Sequence, residues 1–466
     1  MTIFVGQKEV AMRLPLEIPE LDKDQVKAAR AMARGDRLLF SDPGAGKTLT
    51  ALEAWREVGF DFCLVVCPVI AVRNWAIWAD AYARRCNRPI TVQIMRGNKD
   101  LIRDDVDMVI VTYGTLRQKG SAVLQELKDF IFGVIILDES DNLNTDGAQG
   151  TTAIYGEADG LAMYANKVWP MTGTPIPRYQ DGLYPVLRCL FPERLEEFKV
   201  LSKEKFLDTF THRKLVKYGH MRFPVKKVMG SRNEALMKEL LYGGDDPIAI
   251  RNKLIIRSVV KHRFVTLDFN PSKELLALQK EVLEKDGAFV PVDDFGNPIS
   301  EVNPKLNQAL HLYGKELAPA IVSSVIDLLH KVEGGILLLF WHREVGTYLK
   351  TELEKKNVIS GMIHGGVNQK ARDLMVDMFN GDKIDVLLGQ IKSMGVAINL
   401  QENCNTVCFA EDTYSHATNL QAYQRVWRRG QEKDVDVIWY STLQPIADVR
   451  VKVAARKQKS AREALD

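Results

Sequence analysis

The chain is 466 residues long, with 46% hydrophobic and 26% charged residues and a formal charge of only +3. That length exceeds one ordinary domain, and the composition is that of globular cores rather than a fibrous or disordered chain. The balanced charge leaves any attraction to phosphate to local patches, and no apolar run approaches the roughly eighteen residues of a membrane span.

The first residues, MTIFVGQKEVAMRLPLEIPE, place Lys8 and Glu9 where a secretory signal would be apolar, so secretion is not expected. Apolar runs then recur at 37–41 (RLLFS), 62–68 (FCLVVCP), 108–112 (MVIVT), 133–139 (GVIILDE) and 167–173 (KVWPMTG), each followed by a helical pattern. The same rhythm returns at 335–341 (GILLLFW), 359–365 (ISGMIHG), 385–390 (DVLLGQ), 405–411 (NTVCFAE) and 435–441 (VDVIWYS). Continuous rather than alternating apolar strands, separated by helices, predict parallel sheets covered on both faces. The chain therefore reads as α/β, with two doubly wound domains in tandem at 1–195 and 311–445.

Residues 196–310 break the rhythm and are mostly helical in pattern. Within them, 199–232 hold ten Lys/Arg against Glu204 and Asp208, with Phe206, Phe210, Tyr218 and Phe223 interleaved. That mixture is a candidate nucleic-acid contact, or else a solvated helical face. The run DGAFVPVDDFGNPISEV (286–302) has two extended pieces around a D-F-G-N turn and predicts a β-hairpin, either a strand-separating wedge or a plain surface feature. Residues 446–466 predict a short basic helix. Cys63, Cys67, Cys404 and Cys408 lie inside apolar runs and the eight histidines are scattered, so buried thiols in a reducing compartment are expected rather than a zinc site.

The stretch SDPGAGKT (41–48) carries the main chemistry. Gly44, Ala45 and Gly46 precede Lys47 and Thr48, after a strand and before a helix, which is the context of a phosphate-binding loop. The usual pattern has glycine where Ser41 stands. Lys47 would reach the β- and γ-phosphates and Thr48 would ligate Mg²⁺, while Leu49 sits to bury the helix. A second element, VIILDESD (134–141), ends a buried strand in Asp138 and Glu139, suited to holding Mg²⁺ and polarising water. A third, QAYQRVWRRGQ (421–431), spaces Gln421, Arg425 and Arg428 by four and three, so that on a helix they face one way. Guanidinium groups suit charge spread over a transferring phosphoryl group.

Taken in order, these segments resemble superfamily 2 helicases, specifically the SNF2-type DNA translocases. Gln25 in LDKDQ resembles the family's adenine-reading glutamine. LVVCPVIAVRNWAIW (64–78), VIVTYGTL (109–116) and MTGTPIPRYQDGLYPVL (171–187) are similar to its first-lobe motifs. IHGGVNQKARDLMVDMFN (363–380), KSMGVAINLQENCNTVCF (392–409) and QAYQRVWRRGQ are similar to those of the second lobe. The resemblance runs from about residue 21 to 442.

It implies two RecA-like lobes with ATP between them. Nucleotide contacts would come from Gln25, Asp42, Pro43, Gly44, Ala45, Gly46, Lys47, Thr48, Leu49 and Gln421. Thr48 and Asp138 would hold Mg²⁺, and Lys47, Asp138, Glu139, Arg425 and Arg428 would carry the catalysis. DNA contacts would come from Asn74, Thr112, Tyr113, Gly365, Ser393 and Asn399. Departures are local: Ser41, Asp42 and Pro43 replace D-E-M, Asp141 stands where relatives carry His, and TYSHATN (413–419) replaces W-N-P.

The resulting expectation is a DNA-dependent ATPase acting on duplex, forked or four-way DNA in recombination, repair or replication. It needs no membrane and no zinc, is compatible with a monomer, and would work in the cytoplasm of a bacterial or phage-infected cell, a nucleus also being compatible. An RNA helicase, or a motor subunit of a larger restriction or remodelling complex, is the alternative.

Overall fold

The structure is a computed structural model describing residues 2–5, 8–9 and 18–448, apart from residues 43, 96–99, 119, 177–178, 217–222, 254–257, 287–303, 395–397, 414–415 and 429. The chain divides into two compact units, one running to Leu254 and the next starting at Ile255. The predicted hairpin at 286–302 and the predicted helix at 446–466 lie outside the described residues but for their first few positions.

In the first unit β1 (Thr2–Val5), β2 (Lys8–Glu9), α1 (Lys23–Arg34), β3 (Leu38–Leu39), α2 (Lys47–Glu57), β4 (Cys63–Cys67), α3 (Val72–Arg85), β5 (Thr91–Ile94) and β6 (Met108–Thr112) come first. They are followed by α4 (Tyr113–Leu116), α5 (Ala122–Lys128), β7 (Val134–Asp138), α6 (Gln149–Tyr155), β8 (Val168–Met171), α7 (Tyr184–Leu190), α8 (Pro192–Glu197) and α9 (Lys203–Phe210). Then come β9 (Thr211–Val216), β10 (Val225–Ser231), α10 (Glu234–Tyr242) and β11 (Ala249–Ile250). The main sheet runs β11-β3-β8-β7-β4-β6-β5-β1-β2 and is parallel except for the β1–β2 edge. β4 and β7 are buried at every residue, which explains their unbroken apolar sequence: helices cover both faces.

The second unit contains β12 (Val260–Thr266), α11 (Lys273–Asp286), α12 (Pro304–Leu329), β13 (Ile336–Phe340), α13 (Arg343–Lys355), β14 (Ser360–Ile363) and α14 (Gln369–Asn380). β15 (Val386–Gln390), α15 (Ile391–Met394), β16 (Thr406–Phe409), α16 (His416–Tyr423) and β17 (Val435–Ser441) complete it. Its sheet, β12-β17-β16-β13-β15-β14, is parallel throughout. Successive β13 residues enter opposite cores: Leu337 and Leu339 pack with Ile363, Leu387 and Val407, whereas Ile336, Leu338 and Phe340 pack with Ile321, Val325 and Leu349. Both units are thus doubly wound α/β layers, and all ten apolar runs predicted as strands are strands.

The segment 196–310 differs from its expected form. It is not a separate helical body, because Phe206 and Phe210 of α9 and Met237, Leu240 and Leu241 of α10 insert into the first unit's core. Beyond residue 255, β12 joins the second sheet at its edge, in register with β17. Part of the basic stretch 199–232 is an antiparallel ribbon, β9 with β10, rather than helix. No described helix is long and apolar enough to cross a membrane.

Candidate nucleotide-binding site

The phosphate loop leaves β3 and enters α2. Gly44 and Gly46 have φ of 83° and 81°, the left-handed region that side chains other than glycine occupy only under strain. A Cβ on Gly46 would also overlap the Gln25 amide. Gly46 is the N-cap of α2 and Lys47 its first residue, so the unpaired N–H groups of the first turn face any anion in the loop. Leu49, Ala51, Leu52, Ala54 and Trp55 are buried and fix this helix on the sheet, while Thr48 is half-buried in its first turn. The Lys47 ammonium donates to the Ser41 carbonyl at 3.2 Å, which holds the side chain folded along the loop. Pro43 lies outside the described residues.

Gln25 is fully buried. Its Oε1 accepts from the Asp22 N–H (2.9 Å) in a capping box, and its Nε2 donates to the Ala45 carbonyl at 3.0 Å. The glutamine expected to read a base therefore also ties the start of α1 to the loop.

Ser41 is where the loop departs from pattern, and the structure supplies a reason. Its hydroxyl is buried and accepts from the Asn252 N–H at 3.1 Å. Asp42 N–H donates to the Asn252 carbonyl (3.1 Å) and Phe40 N–H to that of Ile250 (2.8 Å). The Arg251 guanidinium stands 3.6 Å from the Asp42 carboxylate. The base of the loop is thus stitched to β11 and the residues after it, a partnership that no local motif announces.

The acidic pair closes the same end of the sheet. Asp138 is buried, with Oδ2 accepting from the Trp75 indole at 2.8 Å, Oδ1 from the Glu139 N–H at 3.1 Å, and its carbonyl from the Tyr113 hydroxyl at 2.9 Å. Glu139 has φ +50°, a strained conformation of the kind that collects at functional sites. Its Oε2 is buried without a hydrogen-bond partner. Asp141 accepts from the hydroxyls of Thr172 (3.0 Å) and Thr174 (3.4 Å), which links the T-G-T segment to the acidic strand end. Burial, with Glu139 as neighbouring charge, pushes Asp138 up to about 6 and Asp141 up to about 7. Lys47 is a nearby cation that offsets the crowded charge of Asp138 and Asp141, and Glu139 keeps one orphaned buried oxygen. Among the described residues no group of three or more His, Cys, Asp or Glu side chains is arranged to hold a metal ion by itself, so a Mg²⁺ on Thr48 and Asp138 would need oxygens from a bound phosphate as well.

The second unit presents its own set. The Gly365 N–H and the Ser393 hydroxyl both donate to Gln390 Oε1 at 3.4 Å, so β15 gathers two of the expected DNA contacts. Asn399 accepts from Arg428 through its side chain and from the Asn380 amide through its carbonyl (3.0 Å). Arg425 Nε donates to the Gln421 carbonyl at 3.0 Å. Burial and the neighbouring Arg425 lower the Arg428 pKa, and a guanidinium so lowered is still charged at neutral pH.

Two expectations change. α16 ends at Tyr423, so Arg425 and Arg428 stand in the turns after it rather than along one helix face. The cause is tertiary: the Gln431 amide donates to the Cys404 carbonyl (2.8 Å) and the Val426 carbonyl (3.3 Å), Trp427 donates to Ser258 O (3.1 Å), and Gly430 turns the chain at φ +94°. Tyr113, expected at DNA, is buried with its hydroxyl committed to Asp138, so its ring is not offered to a ligand. Asn74 and Thr112 are half-buried; Thr112 caps α4 by accepting from the Thr115 N–H at 3.2 Å. Sequence reasoning missed Trp75, Asn252 and Gln390. Only Trp75 had a visible signal, as the second letter of the N-W pair.

Residues 27–242 match the SNF2-related domain, and residues 320–430 match the helicase conserved C-terminal domain. The chain belongs to the SNF2-type helicase family. The yeast (Saccharomyces cerevisiae) DNA repair and recombination protein RAD26 is 27% identical over 122 residues, covering 25% of this chain and 11% of that protein. Mouse (Mus musculus) chromodomain-helicase-DNA-binding protein 1-like is 21% identical over 414 residues, 84% of this chain and 43% of its own. This SNF2-type chain therefore spans less than half the length of either curated relative. Among solved structures, the Sulfolobus solfataricus SWI2/SNF2 ATPase core in complex with dsDNA aligns over 96% of this chain and 97% of its own, at 16% identity and a TM-score of 0.42.

Proposed function

We propose that this chain is a DNA-dependent ATPase that translocates on duplex or branched DNA and remodels forks or four-way junctions in recombination, repair or replication. One observation carries the reading: a phosphate loop leading into α2, with the strained, orphaned Glu139 after β7 of the same sheet, is followed in the same chain by a second α/β unit bearing Arg425 and Arg428. A nucleotidase needs only the first. A second lobe with arginines suits a motor whose cleft closes on ATP and reopens after hydrolysis, since a ligand shifts only states that it contacts differently.

In this reading Lys47 and the α2 N-terminus bind the phosphates, and Gly44 and Gly46 let the backbone approach them. Glu139 takes a proton from the attacking water, and Arg425 and Arg428 offset charge on the transferring group. Thr48 and Asp138 would hold Mg²⁺, which when bound supplies charge neutralisation to the phosphate oxygens. Gly365 and Ser393 suit contact with a nucleic-acid backbone, positioning it without reading bases. DNA rather than RNA is favoured by the names of similar proteins, among them the yeast DNA repair and recombination protein and the Arabidopsis thaliana DNA repair protein RAD5A.

The test is the ATPase rate with single-stranded, duplex, forked and four-way DNA and with RNA. Strongest activation by duplex or branched DNA is expected. Strongest activation by RNA, or none by any nucleic acid, would overturn the reading.

A further inference from the structure

Arg372 is the fourth residue of α14, and only 8% of it is exposed. Its Nε is buried without a hydrogen-bond partner, and its Nη2 donates to the His364 carbonyl at a long 3.5 Å. Among the described residues no carboxylate lies within ion-pair distance of it. Burial lowers its pKa, opposed only by the charge of the neighbouring Asp373. An arginine keeps its charge even so, and a buried charge without a partner is strongly destabilising.

Arg343 repeats the pattern at the surface. It opens α13 directly after β13, is exposed, and makes no ion pair among the described residues. Both arginines thus stand at the start of a helix, where the dipole favours anions and disfavours cations. His364, just after β14, ties them together: burial and then the charges of Arg343 and Arg372 push its pKa down, so both guanidiniums act on one ring. Long helical side chains lean back towards the N-terminus, which directs Arg372 to the turn between His364 and α14. There Asn368 caps the helix by accepting from the Ala371 N–H at 2.9 Å, and the earliest N–H groups of a helix face outward to an anion.

These groups share one place in the fold. β13, β15 and β14 are neighbouring parallel strands, and Arg343, His364 and Gln390 lie at their carboxyl ends, where α/β sheets bind their ligands. Gly365 and Ser393 are at the same ends, joined through Gln390 Oε1. A shielded guanidinium behind an exposed one suits a compact oxyanion with several acceptor oxygens, which a phosphate group supplies.

We propose that Arg343, Arg372 and the α14 N-terminus form a phosphate-binding site of the second unit, and that its occupant is a backbone phosphate of the DNA. The assignment rests on the DNA-motor reading above and adds to it two arginines that the nucleotide chemistry does not use.

The experiment uses the full chain and the variants Arg372→Met and Arg343→Gln. Duplex-DNA affinity is titrated against salt, and melting temperature is measured with and without inorganic phosphate at fixed ionic strength. Arg372→Met removes a buried, unpaired charge while filling its space, so the melting temperature should hold or rise. Each variant should weaken DNA binding about three- to tenfold near physiological salt and reduce the slope of log affinity against log salt by about 0.9. Unchanged affinity and slope in the folded variants would overturn the site. Should Arg372→Met fail to fold, Arg343→Gln at its exposed position decides by the same measure. Inorganic phosphate separates the two sources of the anion. If it raises the melting temperature of the unaltered protein but not of Arg372→Met, while DNA affinity is the same in both, the site belongs to free phosphate and the DNA assignment falls. If the unaltered protein binds DNA yet no DNA activates its ATPase, the motor reading fails, and the affinity titrations still decide the site.

Discussion

Glu139 is held at φ +50° with one carboxylate oxygen buried and unpartnered, an arrangement that costs folding free energy and is of use only when something approaches that oxygen. Glu139→Gln keeps the size and removes the base. ATP binding is therefore expected to persist while turnover drops by about a hundredfold or more; nucleotide-binding and steady-state ATPase assays check both, and near-normal turnover would sink the assignment. Asp141 makes a second residue-scale prediction. Burial and Glu139 raise its pKa from 3.8 to about 7, so the folded state holds the proton more tightly than the unfolded chain. Stability from this group is lost as pH rises from about 4 through 7. Asp141→Asn should remove that dependence, so its melting temperature relative to the unaltered protein should be higher at pH 8 than at pH 4.5. Equal differences at the two pH values would contradict the account.

At the scale of elements, β11 explains the loop's odd residue. The two-residue strand pairs with β3, and the next turn of chain offers the Asn252 N–H to Ser41 Oγ. Ser41→Gly would restore the common pattern yet leave a buried donor without an acceptor, at a cost of roughly 1–3 kcal/mol. The expected result is a melting temperature lower by several degrees with little change in the KM for ATP, because Lys47 contacts the Ser41 backbone carbonyl rather than its side chain. An unchanged melting temperature would show the hydroxyl to be dispensable. The ten core strands were legible because buried parallel strands carry continuous apolar runs. β5, β11 and β12 were not, for different reasons. β5 (Thr91–Ile94) is short and polar at two positions, β11 is two residues long, and β12, at a sheet edge, reads VKHRFVT with most residues at least partly exposed.

At the scale of the whole molecule, the proposed motor needs groups from both units, so deleting a second-unit guanidinium should stop chemistry without unfolding the first unit. Arg428→Ala is expected to lower turnover by about a thousandfold while DNA binding changes little. Arg428→Lys should not restore it, because an ammonium lacks the planar fork. Full activity in a folded Arg428→Ala protein would refute the role, and ATPase and DNA-binding titrations on the same preparation decide it.

Local chemistry wrote much of this protein into its sequence. Glycines demanded by left-handed backbone, a lysine and threonine opening a helix, and acids ending an apolar strand are short-range requirements, so they are visible residue by residue. What lies far apart in the chain was decided only by folding. Trp75 reaches Asp138, Asn252 reaches Ser41, Gln431 ends the helix expected to run through Arg428, and β9 pairs with β10 to place Lys214 against Lys227. Each of these depends on backbone groups that must find partners once buried or on a register fixed by strand pairing, and neither requirement leaves a periodic mark on the sequence.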